Sequence, residues 1–181
     1  PLDDADRFHN FAAQIASTPE ENVKRLLARG DWSIKHDQLR KAVESWREIL
    51  KSDELSNVRV MERGQLNMPA STSAYSRIQS VRDRDPAIAF SLDREDSAAL
   101  TLALKNRLTA DELTSIIRSV VNSSLTYQAV ERAVEILRDE GRVLECVGLA
   151  RSKARQMNVS DASKILSIAL IKDIPENQPL M

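Results

Sequence analysis

Cysteine is all but missing from this 181-residue chain. Cys146 stands alone, so no disulfide can close within the chain and no cysteine-cluster metal site can form. Its neighbours Val143, Leu144 and Val147 mark it as a small buried hydrophobe rather than a nucleophile. Glycine and aromatic residues are also scarce, at four glycines and 4% aromatics. Sheets and tight turns draw on both, so the balance points to a mostly α protein. Gly30, Gly64, Gly141 and Gly148 stand apart from one another, which excludes a glycine-rich phosphate loop. The chain holds no run of about eighteen apolar residues, the length a membrane span needs, and no basic-then-apolar segment opens it. Charge of one sign is not in excess either. The formal net charge of −1 argues against a protein that coats a polyanion, although a local basic face fits inside a neutral total.

Catalytic chemistry is equally thin. The two histidines, His9 and His36, sit near carboxylates without the spacing of a metal site. His36 and Asp37 are adjacent, and adjacent helical residues point about 100° apart, which makes them poor partners. The hydroxyls of Ser71-Thr72-Ser73 have no nucleophile-elbow context and no evident base. No catalytic residue, cofactor site or metal site is therefore expected, and the chain reads as something other than an enzyme. It starts at proline rather than methionine, which suggests a piece of a larger protein, and without a membrane span or signal segment an intracellular, cytoplasmic location is expected.

What the chain has is helix signals. Asp3, Asp4 and Asp6 precede a helix carrying Phe8, Phe11, Ala12 and Ile15. Thr18-Pro19-Glu20-Glu21 is an N-cap, a first-turn proline and a capping-box glutamate. The helix it starts buries Val23, Leu26 and Leu27 and is expected to stop at Gly30. Another begins between Asp31 and Asp37 and carries Leu39, Val43, Trp46, Ile49 and Leu50 at helical spacing. Residues 1–51 thus read as a small helical bundle. From Ser52 the pattern changes. Asn57–Glu62 alternates at period two, and Arg63-Gly64 turns it back through Gln65–Met68 as a short β-hairpin. Helix resumes over Tyr75–Val81 and breaks at Arg82-Asp83-Arg84-Asp85-Pro86. Residues 52–86 read as a connecting region, partly mobile or else lying as an ordered arm over one unit.

Residues 87–174 read as a second helical unit. Thr109 and Glu112 form a capping box, and Leu113, Ile116, Ile117, Val120 and Val121 line one face. A longer helix from Ser124–Thr126 buries Tyr127, Val130, Ala133, Val134 and Leu137. Gly141 sits at its left-handed cap, and Val143–Val147 follows as an apolar extended run. Two short helices, a longer third and an extended tail resemble a winged helix-turn-helix in outline. Helix continues over Leu149–Gln156, and a last one is capped by Ser160. Pro175 ends the order, leaving 175–181 as a tail.

Function follows from what is left over. The final helix carries Ile165, Leu166, Ile168, Ala169, Leu170 and Ile171, more apolar surface than one buried stripe needs. The leading expectation is a non-catalytic protein-interaction or assembly module, with Ile168 or Ile171 facing a protein partner or another copy of the chain. The alternative is a DNA-binding domain using the helix-turn-helix-like unit with Arg77, Arg82, Arg84, Arg151 and Arg155 as its basic arm. Against it, the candidate recognition helix turns outward four acids, Glu131, Glu135, Asp139 and Glu140, and two bases, Arg132 and Arg138. That excess repels phosphate.

Overall fold

A computed structural model describes residues 7, 11–12, 15–62, 66–121, 123–154 and 159–170. In order these form α1 (Pro19–Lys35), α2 (Leu39–Lys51), α3 (Asp53–Asn57), β1 (Arg59–Glu62), β2 (Leu66–Pro69), α4 (Ala70–Arg84), α5 (Pro86–Lys105), α6 (Ala110–Ser119), α7 (Thr126–Asp139), α8 (Val143–Ala154) and α9 (Val159–Leu170). The protein is mostly helical with one short antiparallel hairpin, as the sequence predicts. It divides into two compact units between Glu95 and Asp96, inside α5.

The first unit begins at the Thr18 capping box. Thr18 Oγ1 accepts from the Glu21 amide at 3.2 Å, and Glu21 Oε2 accepts from the Thr18 amide at 3.1 Å. The Ser17 amide, donating to the same Oε2 at 2.8 Å, and the Thr18 amide hold the Glu21 carboxyl below the usual carboxylate range. The helix ahead of it is described only at Arg7, Phe11, Ala12 and Ile15; Phe8 lies outside the described residues, and Phe11 and Ile15 are exposed.

α1 does not stop at Gly30, as the sequence suggests, but runs on to Lys35. The glycine is there for packing: a Cβ on it would lie 2.1 Å from Nε1 of Trp46. Removing that Cβ lets the indole of α2 press onto the backbone of α1. The true stop is Asp37, in the left-handed region at φ 58°. Just before it, the His36 ring stacks on Trp32 and its Nδ1 donates to the Trp32 carbonyl at 2.8 Å.

α2 buries Leu39, Ala42, Val43, Trp46, Ile49 and Leu50 on one face, and Trp46 is 2% exposed. Ser52 then caps α3, accepting from the Leu55 amide. β1 and β2 pair from Arg59 opposite Pro69 to Glu62 opposite Leu66. α4 follows the hairpin at once, its first amide, at Ala70, donating to the Val58 carbonyl at 2.8 Å. α4 is longer than the stretch Tyr75–Val81 expected of it because Ala70 and Ser73, in the small, polar stretch Pro69–Ser73 that reads as loop, are buried together with Ala74 where the helix meets α2. The segment 52–86 therefore carries α3, the hairpin and α4, with Ile78 and Val81 in the core of the first unit. The start of α5 is fastened there too. Leu92 is buried, Arg82 Nη2 lies 2.6 Å from Asp93 Oδ1, and Arg40 Nη1 lies 2.7 Å from Glu95 Oε1.

The second unit starts from the same device. Thr109 Oγ1 accepts from the Glu112 amide at 3.3 Å and Glu112 Oε2 from the Thr109 amide at 2.9 Å. The core joins Leu113 and Ile117 of α6, Val130, Val134 and Leu137 of α7, Cys146 and Leu149 of α8 and Ile165 of α9. α7 ends in a Schellman turn: the Gly141 amide donates to Arg138 O at 2.9 Å and the Arg142 amide to Leu137 O at 2.8 Å, with Gly141 at φ 74°.

The extended run expected at Val143–Val147 is instead the first turn of α8, and the winged-helix outline loses its wing. Cys146, Leu149, Ala150 and Lys153 recur at helical spacing and are buried, whereas Val143 and Leu144 are exposed. An apolar pair that faces solvent had lengthened the buried set into what reads as a strand. α9 begins at Val159, so Ser160 lies within it rather than at its cap.

The glycines give a direct test of this packing. Gly30→Ala should cost about 1–3 kcal/mol, because the added methyl meets the indole and overpacks the α1–α2 contact. Gly148→Ala should instead stabilise by about 0.5–1 kcal/mol, since an exposed helical glycine with nothing within 4 Å gains only from the stiffer chain. Urea unfolding of both variants checks the pair, and a neutral Gly30→Ala would mean that α1 and α2 do not meet this closely.

Candidate binding pocket

The last turn of α1, the middle of α2 and the second half of α4 line an open pocket of about 330 Å³ in the first unit. Its position follows from helical spacing. Asp31, Ile34 and Lys35 lie at i, i+3 and i+4 on α1, and Arg77, Ser80, Val81 and Arg84 at i, i+3, i+4 and i+7 on α4. Trp46, held against Gly30, lies between the two rows. Ile34, Trp46 and Val81 supply the apolar lining, which predominates, and the charged side chains gather around it.

Those charges are not equivalent. Arg77 forks onto Asp31, with Nε to Oδ1 at 3.0 Å and Nη2 to Oδ2 at 3.4 Å, while Nη1 donates to Ser73 Oγ. It is a brace between α4 and α1. Lys35 and Arg84 are exposed and make no ion pair among the described residues. The pocket therefore carries two cations available to a ligand and one that is already spent internally.

The sequence-predicted residues separate on this map. Arg77 and Arg84 line the pocket. Arg82 does not: it is buried and held by Asp93, which removes it from any basic surface. Arg151 is exposed on α8 in the second unit, and Arg155 lies outside the described residues. Ile168 is half-buried against the second unit's core, Ile171 lies outside the described residues, and Val159 and Leu170 are exposed apolar residues of α9. Lys35, Asp31 and Trp46 were missed as pocket residues. The i, i+3, i+4 rows on α1 and α4 were readable, but not that the two rows face each other.

Two polar clusters lie elsewhere, both in the second unit. Arg142 meets Asp111, Glu140 and Glu145, with Nη2–Glu145 Oε2 at 2.6 Å and Nη1–Glu140 Oε2 at 3.1 Å, which joins the starts of α6 and α8 to the end of α7. These hydrogen bonds hold the Glu145 carboxyl below the usual carboxylate range. The other cluster is buried. Lys153 Nζ donates to the Val120 carbonyl at 2.8 Å, and Asp96 Oδ2 accepts from the Val121 amide at 3.0 Å. Val120 O and Val121 N belong to one peptide group, so a cation and an anion grip its two ends. Burial pushes the Lys153 ammonium down to about 8, against the opposing pull of Asp96, with Arg118 lowering it further. At 3% exposure Lys153 is closed to solutes and acts as a strut, not a nucleophile. Among the described residues no group of three or more His, Cys, Asp or Glu could hold a metal ion, and no helix is long and apolar enough to cross a membrane.

Comparison with protein-family models, with curated proteins and with solved structures finds no match for this chain. The fold and pocket therefore define only a class: a mostly helical protein of two units, the first bearing a cation-edged apolar pocket.

The grip on the Val120–Val121 peptide makes a pH prediction. Because the folded value for Lys153 is depressed, its ammonium weighs against the fold below pH 8. Between about 8 and its ordinary 10.5 the unfolded chain binds a proton that the folded chain does not, so stability rises through that window. From pH 7.5 to 9.5 the parent should gain about 2 kcal/mol relative to Lys153→Met, measured by urea unfolding at both values. Parallel pH dependence in the two proteins would show that Lys153 is not buried as a charge.

Proposed function

We propose that this chain is a non-catalytic protein-interaction module whose first unit docks an apolar side chain of a partner protein. The observation that carries the reading is the pocket: an apolar lining of Ile34, Trp46 and Val81 edged by Lys35 and Arg84. Binding hot spots are pockets of this kind, filled by one large anchor and ringed by polar contacts that exclude water. About 330 Å³ suits such an anchor and its immediate neighbours. The nucleic-acid reading gains no comparable support. Phosphate needs cations that are free to meet it, and Arg77 and Arg82 are already committed to Asp31 and Asp93.

A random dodecapeptide phage library panned on the protein tests this directly, with Ser80→Trp as the counter-target. Ser80 is exposed on α4 and lines the pocket, so an indole there blocks the cavity without entering the core. Peptides that bind the parent and not the variant are expected. An absence of enrichment, or enrichment that Ser80→Trp does not affect, refutes docking at this site.

A further inference from the structure

We infer that the segment docked in this pocket is acidic, with one carboxylate within a residue or two of its apolar anchor; the inference rests on the docking reading and narrows it. Charge decides the chemistry. Lys35, Arg77 and Arg84 are opposed by one carboxylate, Asp31, which Arg77 already holds in a fork. Lys35 stands in the last turn of α1 and Arg84 at the last residue of α4. Each helix end adds about −0.5 charge from its unpaired carbonyls, which cancels part of the one pocket cation it carries. Roughly one positive charge remains, beside an apolar lining. That is a match for one carboxylate attached to one hydrophobic group, and a mismatch for a basic segment or for a multiply charged phosphate chain.

The form of the pocket favours a polypeptide over a free organic acid. It is open rather than enclosed, so a side chain projecting from a strand or helix that continues over the surface can enter it. Lys35 and Arg84 are exposed and lie on different helices, so they flank the opening and can reach a carboxylate on either side of the anchor. Arg77 plays a different part. Fixed on Asp31 and Ser73, it holds α4 against α1 and sets the width of the slot instead of meeting the ligand's charge. The specificity-determining pair is thus Lys35 and Arg84.

The test uses the full chain and four probes: three acetylated, amidated hexapeptides, with Phe followed by Glu at the centre, the same with Gln for Glu and the same with Lys for Glu, and 3-phenylpropanoate. Binding is read from the Trp46 indole N–H resonance, and circular dichroism melting confirms that each variant is folded. The Phe-Glu peptide should bind about tenfold tighter than the Phe-Gln peptide, the effect of two solvent-exposed ion pairs, and the gap should close at 1 M salt. Lys35→Glu combined with Arg84→Glu should reverse the order in favour of the Phe-Lys peptide, and Ser80→Trp should abolish binding of all three. Equal affinity for Phe-Glu and Phe-Gln, unchanged by the double reversal, would overturn the carboxylate while leaving a docking pocket in place. Phenylpropanoate binding as tightly as the Phe-Glu peptide would overturn the polypeptide and indicate a small-acid site. If no probe moves the Trp46 resonance at millimolar concentration, the docking reading falls with this one.

Discussion

The first unit depends on one close approach, the Trp46 indole seated on the bare backbone of Gly30. Everything around it is arranged to keep that contact. α1 continues past the glycine instead of ending there, α4 supplies small residues, Ala70, Ser73 and Ala74, where it meets α2, and the Arg77–Asp31 fork fastens α4 to α1 from the side. The contact has a cost: the indole N–H is buried without a hydrogen-bond partner among the described residues. An unsatisfied donor costs about 1–3 kcal/mol. Burying a side chain of this size more than offsets that, since its removal to alanine is worth about 3–5 kcal/mol. The same seating leaves the space between α1 and α4 that becomes the pocket.

The second unit is organised by polar rather than apolar specificity. Its core is aliphatic and would tolerate several packings of similar volume. The grip of Lys153 and Asp96 on one peptide group removes that freedom at the α6–α7 connection, because only one register satisfies both charges. Ser97 and Ser123, 3.1 Å apart, and the Arg142 hub repeat the pattern at lower stakes. Buried charges rarely add net stability, but they penalise alternatives heavily.

Much of the fold was legible because it is written in local signals. Both threonine capping boxes and the Gly141 cap depend on a few adjacent residues and stand where the sequence puts them, and a hairpin forms in the alternating stretch, although Glu62 pairs with Leu66 and not with Gln65 as a turn at Arg63-Gly64 implies. The failures share a cause. Gly30 reads as a stop until the residue pressing on it is known, and Val143-Leu144 reads as strand until it is known which of those side chains face water. Ala70–Ser73 looks like loop because small residues signal loops and tight helix contacts alike. The site was half legible for the same reason. Arg77 and Arg84 were found as cations, but whether an arginine is free depends on a partner distant in sequence: Asp31 ties up Arg77, and nothing among the described residues ties up Arg84. Lys35 and Trp46 enter the site only through the meeting of α1 with α4.

The doubly held peptide between Val120 and Val121 also bears on motion. Ordinary connections between helices breathe, since their amides can trade a protein partner for water one at a time. Here the two partners are buried charged groups, and letting go of the peptide costs each of them a hydrogen bond in the interior. Partial release is therefore the least favourable excursion open to this connection. The Val121 amide should exchange its proton with solvent only when α5, α6 and α8 come apart together, at the rate of the slowest helical amides of the unit. A loop residue would then mark the cooperative opening of the second unit more faithfully than most residues of its helices.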